Sequence, residues 1–156
     1  MDTRNQWKYH VFLSFRGEDT RKSFTDHLFA TLKQKGIFAF RDDKKLEKGK
    51  PISPELSKAI EESLFAIVVL SKNYASSTWC LDELVKIMEC RKKMGLIVLP
   101  IFYDVDPSVV RKQTGTYAQA FDEHEKRFQE NIKKVHMWRN ALKDVANISG
   151  WSLQDR

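Results

Sequence analysis

Residues 65–70 read FAIVVL, six consecutive apolar side chains with three β-branched residues at the centre. A strand with one wet face alternates polar and apolar residues, whereas an unbroken apolar run is buried on both faces, as in a parallel sheet covered by helices on each side. Comparable runs occur at HVFLSF (10–15), IFAF (37–40) and LIVLPIFY (96–103). The spacing predicts four strands, and the short segment Gly150-Trp151-Ser152-Leu153 a weak fifth.

Amphipathic stretches separate these runs. Phe24, Leu28, Ala30 and Leu32 lead into the stop Lys35-Gly36, and Ser53-Pro54 opens a helix carrying Leu56, Ala59, Ile60 and Leu64. A third helix carries SSTWCLDELVKIMEC (76–90) and stops at Lys92-Lys93-Met94-Gly95; a last one places Val135, Trp138, Leu142 and Val145 on one side. Strands alternating with helices predict an α/β, flavodoxin-like fold: a five-stranded parallel sheet with helices on both faces. We expect a single domain over residues 9–153, with short tails at 1–8 and 154–156 and irregular segments at 41–52 and 104–116.

The 156 residues are 42% hydrophobic, enough for one domain with a proper core. No window approaches the roughly 18 apolar residues of a membrane span, and the N-terminus lacks a signal-peptide core, so the expected setting is cytoplasmic, with the nucleus as a second compartment, and no membrane partner. Cys80 and Cys90, ~15 Å apart along one helix, are too distant to bond to each other and read as buried thiols. The net charge of +6 comes from 27 Lys and Arg against 21 Asp and Glu, with acids interrupting every basic run. Attraction of a phosphorylated ligand and plain solubility both fit that balance. Aromatics do not interleave with the basic residues, so a nucleic-acid partner is not expected.

In such a sheet ligands bind beyond the carboxyl ends of the strands, which directs attention to the loops after each strand. Arg16-Gly17 follows the first strand: the arginine can fork onto an anion and the glycine permits close backbone approach, although a plain turn explains the pair as well. The pairs Asp42-Asp43 and Asp104/Asp106 suggest a metal or phospho-receiver site, but a receiver needs acids where this chain has Arg16-Gly17 and Ser71. Asp106-Pro107-Ser108 reads as a turn and helix cap, with Ser108 the capping residue. His10, His27, His124 and His136 have no metal spacing and read as surface or packing residues; no metal site is expected.

On a helical wheel the two acids of the third helix separate. Asp82 aligns with Lys86, Glu89 and Lys93 in a stripe of alternating charge, which reads as solvated with pairs Asp82/Lys86 and Glu89/Lys93. Glu83 falls instead among Trp79, Cys80, Ile87 and Cys90, inside the edge of the apolar arc. Half withdrawn from water, Glu83 fits two readings: an acid whose solvation the protein sets, as in catalytic sites, or an edge-of-core glutamate reaching solvent beside Lys86.

Taken together, YHVFLSFRGEDTRKSFTDHL, FRDDKKLEKGKPISPELSKAI, IVVLSKNYASSTWCLDELVKI and LPIFYDVDPSVVRKQTGTYAQAF resemble a Toll/interleukin-1 receptor (TIR) domain of the plant immune-receptor type. The resemblance implies the same flavodoxin-like sheet and an NAD(P)+ glycohydrolase that makes nucleotide signals in plant defence and cell death, activated by self-association. It puts the catalytic role on Glu83 and implies substrate contacts from Phe15, Arg16, Gly17 and Trp79, with the segment 42–52 closing over the pocket. NAD+ or NADP+ enters as substrate, and no cofactor is implied. The expected partners are other TIR domains, in homo- or hetero-association. Where the family carries a Ser-His pair for that contact, this chain has Asp26-His27, and it stops at Arg156 without the family's last helix, so slow turnover is expected of an isolated copy. The alternative is a non-catalytic TIR–TIR docking module.

Overall fold

The computed structural model describes residues 7–20, 24–42 and 51–154. Five strands form one parallel sheet: β1 (Tyr9–Ser14), β2 (Ala39–Arg41), β3 (Ser63–Leu70), β4 (Ile97–Tyr103) and β5 (Trp151–Leu153), in the order β2-β1-β3-β4-β5. The α-helices among the described residues are α1 (Gly17–Thr20), α2 (Asp26–Gln34), α3 (Pro54–Glu61), α4 (Thr78–Met94), α5 (Pro107–Lys112), α6 (Thr116–Arg127) and α7 (Ile132–Ala146). The predicted flavodoxin-like sheet is the one observed.

Strand parity sorts the core into two layers. Val11, Leu13, Phe15, Ile67 and Val69 point to one face, where Phe24, Leu28, Phe29 and Leu32 at and along α2 cover them. Phe12, Ala66, Val68 and Leu70 point to the other and pack with Leu56 and Ile60 of α3, Leu81, Leu84 and Ile87 of α4, and Trp138 and Leu142 of α7. The second layer is far larger because several helices cover it against one. One expectation is corrected here: β4 is not buried on both faces. Its residues alternate, with Val98 and Phe102 buried but Ile97 45% exposed, and on the same side Trp151 and Leu153 of β5 are also exposed. No described helix covers that part of the α2 face.

Helix ends follow local chemistry. Ser53 caps α3, its hydroxyl accepting from the Leu56 N–H at 3.2 Å, with Pro54 at the first helical position. Helix α4 begins on the Ser77 hydroxyl, which accepts from the Cys80 N–H at 3.1 Å, and ends at Gly95 in the left-handed region (φ 74°) that favours glycine. Gly150 is needed for a different reason: a Cβ there would meet the Pro100 carbonyl oxygen at 2.3 Å, so only glycine lets β5 begin beside β4.

Some predictions differ from the structure. The segment 104–116 is not irregular: it contains α5, capped by Asp106 rather than Ser108, since the Asp106 carboxylate accepts from both the N–H and the hydroxyl of Ser108 at 2.8 and 2.7 Å. Helix α6 is not among the predicted elements. Of the segment 41–52, residues 43–50, including Asp43, lie outside the described residues.

Candidate functional site

Parity also positions the site. On β1, Ser14 shares the face of Phe12 and points toward α4, while Phe15 turns into the opposite layer and is fully buried there. After β3, a 3-10 turn at Tyr74–Ser76 leads into α4, so that Tyr74, Trp79 and Glu83 all lie near the carboxyl end of β1. Glu83 is not at the edge of the core, as the wheel suggests, but fully buried (0% exposed). Its Oε1 accepts a hydrogen bond from the Ser14 hydroxyl at 2.8 Å; the Ser14 and Tyr74 hydroxyl oxygens are 2.7 Å apart; and the Tyr74 hydroxyl is within 3.1 Å of the Cys80 carbonyl oxygen, to which it can donate. The Cys80 thiol in turn donates to the Phe15 carbonyl at 3.4 Å. Burial, reinforced by the charges of Cys80 and Glu83, pushes the Tyr74 phenol well above its ordinary range, so it remains a hydrogen donor.

Beside this buried chain the surface loops are tied together. The Trp79 indole N–H donates to Asp42 Oδ2 at 2.9 Å. Asp19, which the sequence does not single out, is a hub: Oδ1 takes the Arg16 guanidinium at 3.0 Å, and Oδ2 takes the Ser71 hydroxyl at 2.6 Å and the Asn73 N–H at 2.9 Å. It thereby joins the turn after β1 to the turn after β3. Arg16 also bridges Glu18 at 2.9 Å and is 22% exposed at the side chain, so two carboxylates already hold the cation expected to take a phosphate. Gly17 opens α1, whose four residues add little helix dipole.

The sequence-predicted residues therefore divide. The structure brings Glu83, Trp79, Arg16 and Gly17 to one end of the sheet, with only the backbone of Phe15 near them. Asp26 and His27 are exposed on the first turn of α2, across the sheet from α4, where Asp26 is ion-paired with Arg41, which stacks over the Phe29 ring at 4.3 Å.

Asp82 is a correction. Its side chain is 12% exposed rather than solvated, and its Oδ1 accepts from the Trp138 indole N–H at 2.8 Å, with the Lys134 ammonium 3.7 Å from Oδ2. The reason is α7, which packs along that side of α4 and which a wheel of one helix cannot show. Lys86 accordingly pairs with Glu61 of α3 at 2.6 Å and not with Asp82, while Glu89/Lys93 forms as expected at 3.8 Å. A groove of about 280 Å³ between α4 and α7, lined by Asp82, Val85, Lys134, Met137 and Trp138, does not include Glu83. Both cysteines are buried thiols, as expected. Among the described residues, no helix is long and apolar enough to cross a membrane.

A parallel sheet in this order is that of the flavodoxin-like class, and comparison with known proteins gives the family within it. The family model for the TIR domain matches residues 8–156. The chain is 58% identical over 146 residues to TMV resistance protein N of Nicotiana glutinosa, covering 94% of this chain and 13% of the relative, and 58% identical over 147 residues to disease resistance protein RPV1 of Vitis rotundifolia, covering 94% and 10%. Among solved structures it superposes on the TIR domains of the activated Roq1 resistosome, which directly recognises the pathogen effector XopQ, with a TM-score of 0.86 and 63% identity over 94% of this chain and 88% of that one. This chain belongs to the TIR domain family, in the branch found in plant disease resistance proteins. It spans only about a tenth of the length of those curated relatives.

Proposed function

We propose that this TIR domain cleaves the nicotinamide–ribose bond of NAD+ or NADP+ to produce nucleotide signals in plant defence, and that association with other TIR domains activates it. The observation that carries this reading is the buried carboxyl group of Glu83. Withdrawing a carboxylate from water costs stability unless it is well bonded, and no packing requirement calls for an acid at this position among Leu81, Leu84 and Ile87. Groups kept in such surroundings at the carboxyl end of a parallel sheet are candidates for chemistry.

One carboxylate suffices for this reaction. Nicotinamide departs as a neutral molecule from a cationic pyridinium, so no second acid must protonate the leaving group, unlike the pair that ordinary glycosidases use. Glu83 would hold the ribose hydroxyls and stabilise the positive charge developing at C1′; Trp79 would pack against the substrate; Arg16, released from Glu18, would hold phosphate.

Full burial of Glu83 bears on regulation. Substrate reaches this carboxyl group only after the first turns of α4 and the residues around Asp42 move, and contact with neighbouring domains is the source of that rearrangement in our reading. The Roq1 TIR domains come from an activated resistosome, and the RPS4 and RRS1 TIR domains form a heterodimer, so association is open to this fold. The same burial favours a second reading, a docking module that signals by association without turnover.

Nicotinamide release from NAD+ and NADP+, followed against protein concentration beside a Glu83→Ala control, separates the two. Release rising more than linearly with concentration and absent in the control is the expected result. Folded, associating protein that releases none overturns the enzyme reading in favour of docking.

A further inference from the structure

We propose that Ser14 and Tyr74 are positioning residues for Glu83, forming a buried two-hydroxyl relay that orients its carboxyl group; this rests on the reading of Glu83 as the catalytic acid. The links run in series: Glu83 Oε1 to Ser14 Oγ at 2.8 Å, Ser14 Oγ to Tyr74 Oη at 2.7 Å, and Tyr74 Oη to the Cys80 carbonyl oxygen at 3.1 Å. Cys80 lies three residues before Glu83 on the same helix. The relay therefore leaves α4, crosses to the end of β1 and the turn before the helix, and returns to α4, fixing the carboxyl group against both.

Neither hydroxyl is accounted for by packing. Both residues are fully buried, and a buried hydroxyl stabilises only through its partners. Ser14 is the one polar side chain inside the otherwise apolar stretch VFLSF, where an alanine would fill the layer without a hydrogen bond to satisfy.

Counting hydrogens shows what the relay does. Three links share two hydroxyl hydrogens when Glu83 is ionised: Ser14 donates to the carboxylate, and Tyr74 divides one hydrogen between Ser14 Oγ and the Cys80 carbonyl. A proton on Oε1 supplies the third, and the order then runs from Glu83 to Ser14 to Tyr74 to Cys80. Either state is reached by rotating hydroxyls, with the heavy atoms in place. The carboxyl group thus keeps its orientation whichever state it is in, and the raised Tyr74 phenol keeps its hydrogen throughout.

The test combines kinetics with a readout independent of turnover, using the full chain. Ser14→Ala and Tyr74→Phe are made alone and with Glu83→Gln, beside Ser14→Thr, which retains the hydroxyl. The expected result is a kcat about 10- to 100-fold lower in Ser14→Ala, as for misplacement of a reacting group, with KM held, most of the rate kept in Ser14→Thr, and no further loss when Ser14→Ala joins Glu83→Gln. Folded Ser14→Ala and Tyr74→Phe at full rate, or a loss that adds in full to that of Glu83→Gln, overturns the relay and leaves the NAD(P)+ reading standing. If the unmodified protein releases no nicotinamide, that reading fails and the relay is judged by the ¹³Cζ resonance of Tyr74. Glu83→Gln then shifts this resonance when Ser14 is present and not in Ser14→Ala; an unmoved resonance in both overturns the relay.

Discussion

The indole Nε1 of Trp79 donates to Oδ2 of Asp42 at 2.9 Å, tying the first turn of the helix that carries Glu83 to the residue directly after β2. Asp42 is itself buried, so the contact is shielded from competing water. Asp42→Ala should cost about 1–3 kcal/mol, because the indole N–H loses its acceptor in a partly closed site. A lowered melting temperature together with a shifted Trp79 indole N–H resonance is the expected result; an unmoved resonance would show that the tie does not persist in solution.

Arg16 is held by Glu18 and Asp19, and Glu18 is 82% exposed at its side chain. A phosphate must displace at least this outer carboxylate. Glu18→Gln is therefore expected to lower KM for NAD+ by up to about fivefold, the range of an exposed ion pair, with kcat unchanged. Steady-state kinetics at two ionic strengths checks this, since the advantage should shrink as salt rises.

Burial raises the Asp82 carboxyl above its usual range, against the opposing hydrogen bond from Trp138 and the charge of Lys134. A folded-state value above the unfolded one means that the folded chain holds this proton more tightly. The associated stability is present below the ordinary Asp value of about 3.9 and is lost as pH rises through the folded value. Asp82→Asn, which keeps an acceptor for the Trp138 indole, should gain stability relative to the parent at pH 7, with the gap closing on acidification. Chemical denaturation at pH 7 and pH 3.5 measures both ends.

His124 behaves in the opposite sense. Burial lowers its folded-state value, and as a neutral ring its Nε2–H donates to the Ala75 carbonyl at 2.7 Å among Phe121, Phe128 and Trp138. The unfolded chain takes up the proton first, so this contribution is complete above about pH 6.5 and disappears as pH falls through the depressed value. His124→Gln retains a donor without the titration. Its melting temperature should change less between pH 7 and pH 5 than that of the parent.

The amino-acid sequence by itself determined the five-stranded parallel sheet and four of its connecting helices, α2, α3, α4 and α7. The apolar run at 65–70 demanded cover on both faces, Gly36 and Gly95 stopped helices, and the wheel separated Glu83 from Asp82. These are local properties, set by the period of a strand or helix and by which residues tolerate a left-handed turn. What only the tertiary structure decided depends on neighbours distant in the chain. Asp82 is withdrawn because Trp138, 56 residues later, packs over it; Glu83 is sealed because Ser14, 69 residues earlier, ends a strand facing it; and Arg16 is occupied because Asp19 also reaches Ser71, 52 residues on. A wheel shows which side of a helix a residue is on, but the solvation and partners of a carboxylate are set by whatever the fold brings against that side.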